Sequence, residues 1–164
     1  MMMFQPLNAK VEAPNYNFSL DTLADFYPEK NRADLEKKYG KAEVMDSKNG
    51  IETLKFYVAH IRYKFPVLVQ VKEGKVLDFF APLPSYFLHD IFFHSLVNRM
   101  GKQKDYKRVI EEAVYSWEKD SLKHVYSASC TITCFPIFYT VFPLESKNGF
   151  KSILQKMKES IPKN

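Results

Sequence analysis

The sequence predicts an α+β fold in which two diverged helix–antiparallel-sheet repeats form one continuous sheet with helices on one face. Three observations carry this expectation. A glycine-terminated helix end occurs twice, alternating strand patterns follow each helix end at the same offset, and a Phe-Pro strand stands near the close of each half. The first is Leu35-Glu36-Lys37-Lys38-Tyr39-Gly40-Lys41 set against Leu96-Val97-Asn98-Arg99-Met100-Gly101-Lys102, 61 residues further on. Each reads as a last helical turn with Leu on the buried side and Gly in the left-handed position that ends it. The lysine after each glycine complements the negative end of the helix dipole.

Carried forward without a gap, the offset places Thr53-Leu54-Lys55-Phe56 on Val114-Tyr115-Ser116-Trp117. Both alternate, so Leu54 and Phe56 in one copy and Tyr115 and Trp117 in the other take equivalent inward positions. Phe65-Pro66-Val67-Leu68-Val69-Gln70-Val71 is matched by Phe135-Pro136-Ile137-Phe138-Tyr139-Thr140-Val141, now 70 residues on, so the second copy carries extra residues between its strands. Proline is tolerated at a sheet edge or a bulge, and its recurrence suggests the same bend built twice.

In order along the chain, residues 1–18 read as an extended lead-in. The first repeat occupies 19–82, with short helices over 19–26 and 31–39 broken at Pro28 and Asn31 as an N-cap. Strands follow over 52–59, 61–71 and 75–80, the last two joined by a hairpin turn at Lys72-Glu73-Gly74-Lys75. The second repeat occupies 83–145, with a helix over 85–100 and strands over 112–118, 123–134 and 136–142. Residues 146–164 are a C-terminal helix and tail, since Phe150, Ile153, Leu154 and Met157 recur at helical spacing.

Composition narrows the function classes. Hydrophobic residues are 46% of the chain and aromatics 15%, enough for a packed core and against disorder. The net charge of +5 comes mostly from Lys, with Arg only at 32, 62, 99 and 108. Bidentate reading of bases and phosphates favours Arg, so no nucleic-acid partner is expected. No run approaches the ~20 apolar residues of a membrane-spanning helix. Met1 to Pro6 lacks the basic and apolar regions of a signal peptide. The expected compartment is periplasmic or secreted if an export signal was removed, and cytoplasmic otherwise. The chain is expected to be a monomer.

A helical pair ending in Tyr39-Gly40-Lys41, a polar loop with Asn49-Gly50, the strand Glu52-Thr53-Leu54-Lys55-Phe56-Tyr57 and a hairpin closing in Glu73-Gly74-Lys75-Val76 resemble a known small module. It is the unit of the SmpA/OmlA outer-membrane assembly lipoproteins, and its tandem form resembles the β-lactamase inhibitor protein (BLIP-like) family. The resemblance covers about residues 19–80, and 85–142 more loosely. It implies helices packed on one face of an antiparallel sheet, two sheets side by side as a concave surface, and a non-catalytic scaffold that binds an unidentified protein. No cysteine pair bridges the helices and no lipoprotein cysteine stands near the N-terminus, so lipid anchoring does not carry over.

Reactive groups are sparse. His89-Asp90-Ile91-Phe92-Phe93-His94 puts Asp90 and His94 at i and i+4 on one helix face, the spacing of a metal or acid–base pair, but it has no third ligand. His60 and His124 are approximate counterparts near the starts of second strands, where a pH switch or plain edge positions are both open. Cys130 and Cys134, read within one strand, would lie ~13 Å apart, too far for a disulfide, and are expected as reduced thiols. There is no Gly-x-Ser-x-Gly elbow and no glycine-rich phosphate loop. No catalysis, metal or cofactor is expected. One helix layer covers one sheet face, so outward residues of the other face become the candidate partner-binding surface. By alternation these are Lys55 and Tyr57, by repeat equivalence Ser116 and Glu118, and from the Phe-Pro strand Tyr139. The alternative is a lipid or other hydrophobic small molecule held between sheet and helices.

Overall fold

The computed structural model of the chain describes residues 21–60, 63–83, 89–109, 112–130, 134–145 and 150–160. The lead-in expected over 1–18 lies outside them. Eight strands form one antiparallel sheet: β1 (Glu43–Lys48), β2 (Ile51–His60), β3 (Tyr63–Lys72), β4 (Lys75–Leu83), β5 (Asp105–Val109), β6 (Glu112–Lys119), β7 (Leu122–Cys130) and β8 (Cys134–Pro143). Residues 21–24 are helical. Three further helices are α1 (Arg32–Tyr39), α2 (His89–Met100) and α3 (Ile153–Ser160). The sheet order is β1-β2-β3-β4-β8-β7-β6-β5, so the first four strands lie in chain order and the last four in reverse.

The local chemistry explains the elements. Gly40 and Gly101 take φ of +90° and +82°, and their N–H groups donate back to the Glu36 and Val97 carbonyls at 2.9 and 2.7 Å. These are the left-handed helix ends expected from the two matching sequences. Three hairpins turn through two residues that both have positive φ: Asn49-Gly50, Glu73-Gly74 and Asp120-Ser121. That geometry matches the right-handed twist of the strands it joins. Asn31 stands at the N-cap of α1 with extended backbone but without a side-chain capping bond.

Each half of the sheet has four strands rather than the expected three. The two unforeseen strands, β1 and β5, are the outermost ones. Every residue of β1 is exposed, so no buried face imposes alternation on Glu43 to Lys48. The second correction concerns the cysteines. The run read as one strand from Val125 to Cys134 is two, and Cys130 and Cys134 are register partners across the hairpin, after a register shift beyond Ala128. The ~13 Å spacing along one strand therefore does not describe them.

One sheet face carries Leu54, Phe56 and Val58 of β2, Val67 and Val69 of β3, Phe79 and Ala81 of β4, Tyr139 and Val141 of β8, and Tyr126 and Trp117 beyond, all buried. The N-terminal helical region covers its first half, with the Phe26 ring 5.8 Å from Phe56 and stacked at 5.0 Å on Tyr39. Helix α2 covers the second half, with Phe92 5.4 Å from Tyr126 and Phe93 4.3 Å from Tyr115. Trp117 closes this side by donating its indole N–H to the Gly101 carbonyl at 2.8 Å.

The helices are not confined to that face. Gln70 and Asp78 are register partners on the opposite side, both fully buried, and α3 docks on them. The Ile153 N–H donates to Asp78 Oδ2 at 2.7 Å, Gln70 Nε2 to Asp78 Oδ1 at 2.8 Å and to the Lys151 carbonyl at 2.9 Å, and Lys156 Nζ to Gln70 Oε1 at 2.6 Å. A glutamine inside Phe65–Val71 breaks an otherwise apolar strand, and the helix that satisfies it must come from that side.

Asp120-Ser121 differs from the other two hairpins in lacking glycine, and Ser121 sits at φ +63°. Ser121→Gly should stabilise the fold by about 1 kcal/mol and raise the melting temperature by roughly 2–4 °C. Thermal unfolding followed by circular dichroism checks this.

Candidate functional site

Two buried polar clusters and two surface regions hold the candidate chemistry. The first cluster lies where β7 and β8 meet the N-terminal helical region. Tyr139 is 0% exposed. Its hydroxyl is 2.9 Å from the Tyr27 hydroxyl and 2.7 Å from His124 Nδ1. The Tyr27 ring is stacked on Phe79 at 5.8 Å and meets His124 edge-on at 5.4 Å. Burial lowers His124 to a pKa of about 4, with the Lys119 charge adding to it. Burial raises Tyr139 well above its ordinary value and raises Tyr27 as well. All three are neutral at pH 7, and none is poised to take up or release a proton there. Three polar groups inside an aromatic core satisfy one another, which is what burial requires of them.

Tyr139 was expected to face outward, and it does not. The register pairs it with Ala81 and Tyr126, on the side covered by helices, while Phe138 pairs with Pro82 and Ser127 on the other. Phe138 instead lies 4.8 Å from Phe80, ring to ring. A tyrosine and a phenylalanine side by side in a strand are equally apolar to pattern reading; the Tyr27 and His124 partners that draw Tyr139 inward are distant in sequence.

The second cluster is Gln70, Asp78 and Lys156. Burial pushes Asp78 up to about 7, against the opposing pull of the Ile153 N–H, the Gln70 amide and the Lys156 charge. No catalytic or ligand motif contains Gln70, Asp78 or Lys156, so pattern reading passes over the cluster.

Ser116 faces the predicted side, opposite Val125, but is buried. The far face is closed through its middle: Val125, Ser127 and Thr140 are also buried. An open aromatic sheet face is therefore not present there. Lys55, Tyr57 and Glu118 do reach the surface. Tyr57 is 46% exposed, and Lys55 Nζ sits 5.2 Å from its ring centre. Glu118 is paired with Lys104. The edge strand β1 exposes Val44 and Met45, and Val44 pairs with Leu54, on the other face from Tyr57.

At the other sheet edge, a groove of about 430 Å³ runs between α2 and β5, lined by Phe93, His94, Val97, Lys102, Tyr106 and Tyr115. A cavity of about 510 Å³ lies at the turn end of the central strands, lined in part by Pro28, Leu77, Leu122, Pro143 and Phe150. His94 is exposed on α2, while the side chains of His60, His89, Asp90, Cys130 and Cys134 lie outside the described residues. Among the described residues, no three His, Cys, Asp or Glu side chains gather as a metal site, and no helix is long and apolar enough to cross a membrane. No protein-family model, curated protein or solved structure matches this chain.

Removing the central hydroxyl with Tyr139→Phe leaves His124 and Tyr27 without their shared partner and should cost about 1–3 kcal/mol in urea unfolding. The two titrating groups should act in opposite directions on stability. Asp78, ordinary value 3.8 and about 7 when folded, holds more proton folded than unfolded, so its contribution is lost as pH rises through 7. His124, ordinary value 6.5 and about 4 when folded, takes its proton first in the unfolded chain, so stability falls as pH drops from 6.5 toward 4. Any stability gain of Asp78→Asn over the parent should therefore shrink as pH falls from about 7 to about 4, as melting curves across that range would report.

Proposed function

We propose that this chain is a non-catalytic protein-binding or assembly module that engages its partner around Tyr57 and Lys55. The carrying observation is an aromatic ring left 46% exposed on a strand whose neighbouring residues are packed, with a lysine ammonium over the ring. Tyrosine is a common interface anchor because it offers a rigid apolar plate and a polar tip at low entropic cost.

The order β1-β2-β3-β4-β8-β7-β6-β5 is what two helix-then-four-strand units related by a pseudo-twofold would build. It supports reading the chain as a duplicated module of the SmpA/OmlA and BLIP-like kind, and that kinship favours a scaffold over an enzyme. A second reading, binding of a hydrophobic small molecule, is favoured by the cavity of about 510 Å³ with Leu77, Leu122, Leu144 and Phe150 in its wall. That site lies at the end of the strands. Between sheet and helices the rings of Phe26, Phe56, Phe79, Phe92 and Tyr126 occupy the space.

The test is a photo-crosslinking residue placed at Tyr57 and, as control, at the exposed Lys37 of α1. A discrete adduct with native extract from position 57 and not from 37 is the expected outcome. Identical patterns from both positions, or no adduct from 57, would sink the reading. Tyr57→Ser should leave the melting temperature within about 2 °C, as surface substitutions do.

A further inference from the structure

Beyond the Tyr57 surface, we propose that the groove between α2 and β5 is a docking site for an acidic peptide segment that carries an aromatic or large aliphatic side chain. The floor is apolar and stepped. Phe93 lies 4.3 Å from Tyr115, and Tyr115 lies 5.0 Å from Tyr106, ring centre to ring centre. Tyr106, outermost of the three, is 46% exposed. Val97 of α2 continues the floor, giving a slot about 430 Å³ in volume, room for one or two large side chains.

The charge around the slot selects the occupant. Its lining contains Lys102 and His94 and no carboxylate. Strand alternation places Tyr106 and Arg108 on the groove side, with register partners Tyr115 and Ala113, while the Asp105 carboxylate accepts from the Tyr106 N–H at 3.0 Å. Glu118 of β6 is paired with Lys104. An apolar slot with Lys102 on its rim and no carboxylate in its lining is complementary to a segment that alternates acidic and apolar residues.

The single tryptophan supplies the measurement. Trp117 lies 6.2 Å from Phe93, directly behind the groove floor. Its fluorescence is followed while the full chain is titrated with an acetylated octapeptide alternating Glu with Phe and Leu, and separately with the same peptide carrying Lys for Glu. Saturable binding of the Glu peptide, weakened at least about tenfold in the Lys peptide and again in Lys102→Glu, is expected, and added salt should weaken it. Tyr106→Ser should remove it; Lys102→Glu, a surface exchange, keeps the test valid should the serine variant unfold. Equal binding of the two peptides, full binding by Lys102→Glu, or no binding into the millimolar range overturns the proposal. Tyr57→Ser should bind the Glu peptide as the parent does, so failure here and failure of the Tyr57 interface are separable.

Discussion

The pairing of β4 with β8 is the constraint on which the rest of the structure depends. The other sheet neighbours are joined by consecutive stretches of chain, whereas this seam connects two ladders that would otherwise be separate four-stranded sheets. It sets Phe79 beside Val141 and Ala81 beside Tyr139, all buried. Thr140, itself buried, reinforces the seam by donating its hydroxyl to the Phe79 carbonyl at 2.6 Å. A four-stranded sheet with one helical layer offers little interior. Joining two doubles the face and allows Phe79 and Tyr139 to lie at its centre, 5.6 Å apart and edge to face.

The polar groups near that seam follow from it. Closing both faces of the central strands buries backbone and side chains that water would otherwise satisfy, and every such group must find a protein partner. On the α2 side, Tyr139 is shared between Tyr27 and His124. On the other side, Asp78 accepts from the first turn of α3, where a carboxylate also meets the positive end of the helix dipole. The two networks hold opposite layers to the same pair of strands. Tyr139 and Asp78, at the centres of the two networks, are both withdrawn from solvent.

Much of the fold was legible because turns and helix ends carry their own chemistry. Tyr39-Gly40 and Met100-Gly101 marked helix termini, Asn49-Gly50 and Glu73-Gly74 marked turns, and the alternation of Leu54 and Phe56 placed their burial correctly. The misses share a cause. β1 and β5 are outermost strands, so Glu43–Lys48 and Asp105–Val109 had no one-sided burial to show. The side taken by α3 was hidden because Phe150, Ile153 and Leu154 announce only that a helix has an apolar stripe, not which sheet face receives it. Ser116 was misplaced relative to solvent because alternation tells which face a residue joins and says nothing about whether that face is covered, whereas Tyr139 was given the wrong face because it and Phe138 read as equally apolar. Of the candidate surface, Lys55, Tyr57 and Glu118 emerged from the pattern. The aromatic groove did not, since Phe93, Tyr106 and Tyr115 meet only after α2 is laid across the sheet.

Among the described residues the sheet does not close into a barrel, and an outermost strand can polymerise by pairing with a copy of itself. Here both ends are defended in different ways. On β1 the ladder is thrown out of register between Val44 and Asp46, and Glu43, Asp46 and Lys48 add charge along the rim. On β5 the Asp105 side chain takes the Tyr106 N–H at 3.0 Å, and Lys107 and Arg108 follow. Two copies of the same chain meeting edge to edge would place a kinked strand, or a positively charged one, against its equal. Filament growth through strand addition is thereby disfavoured.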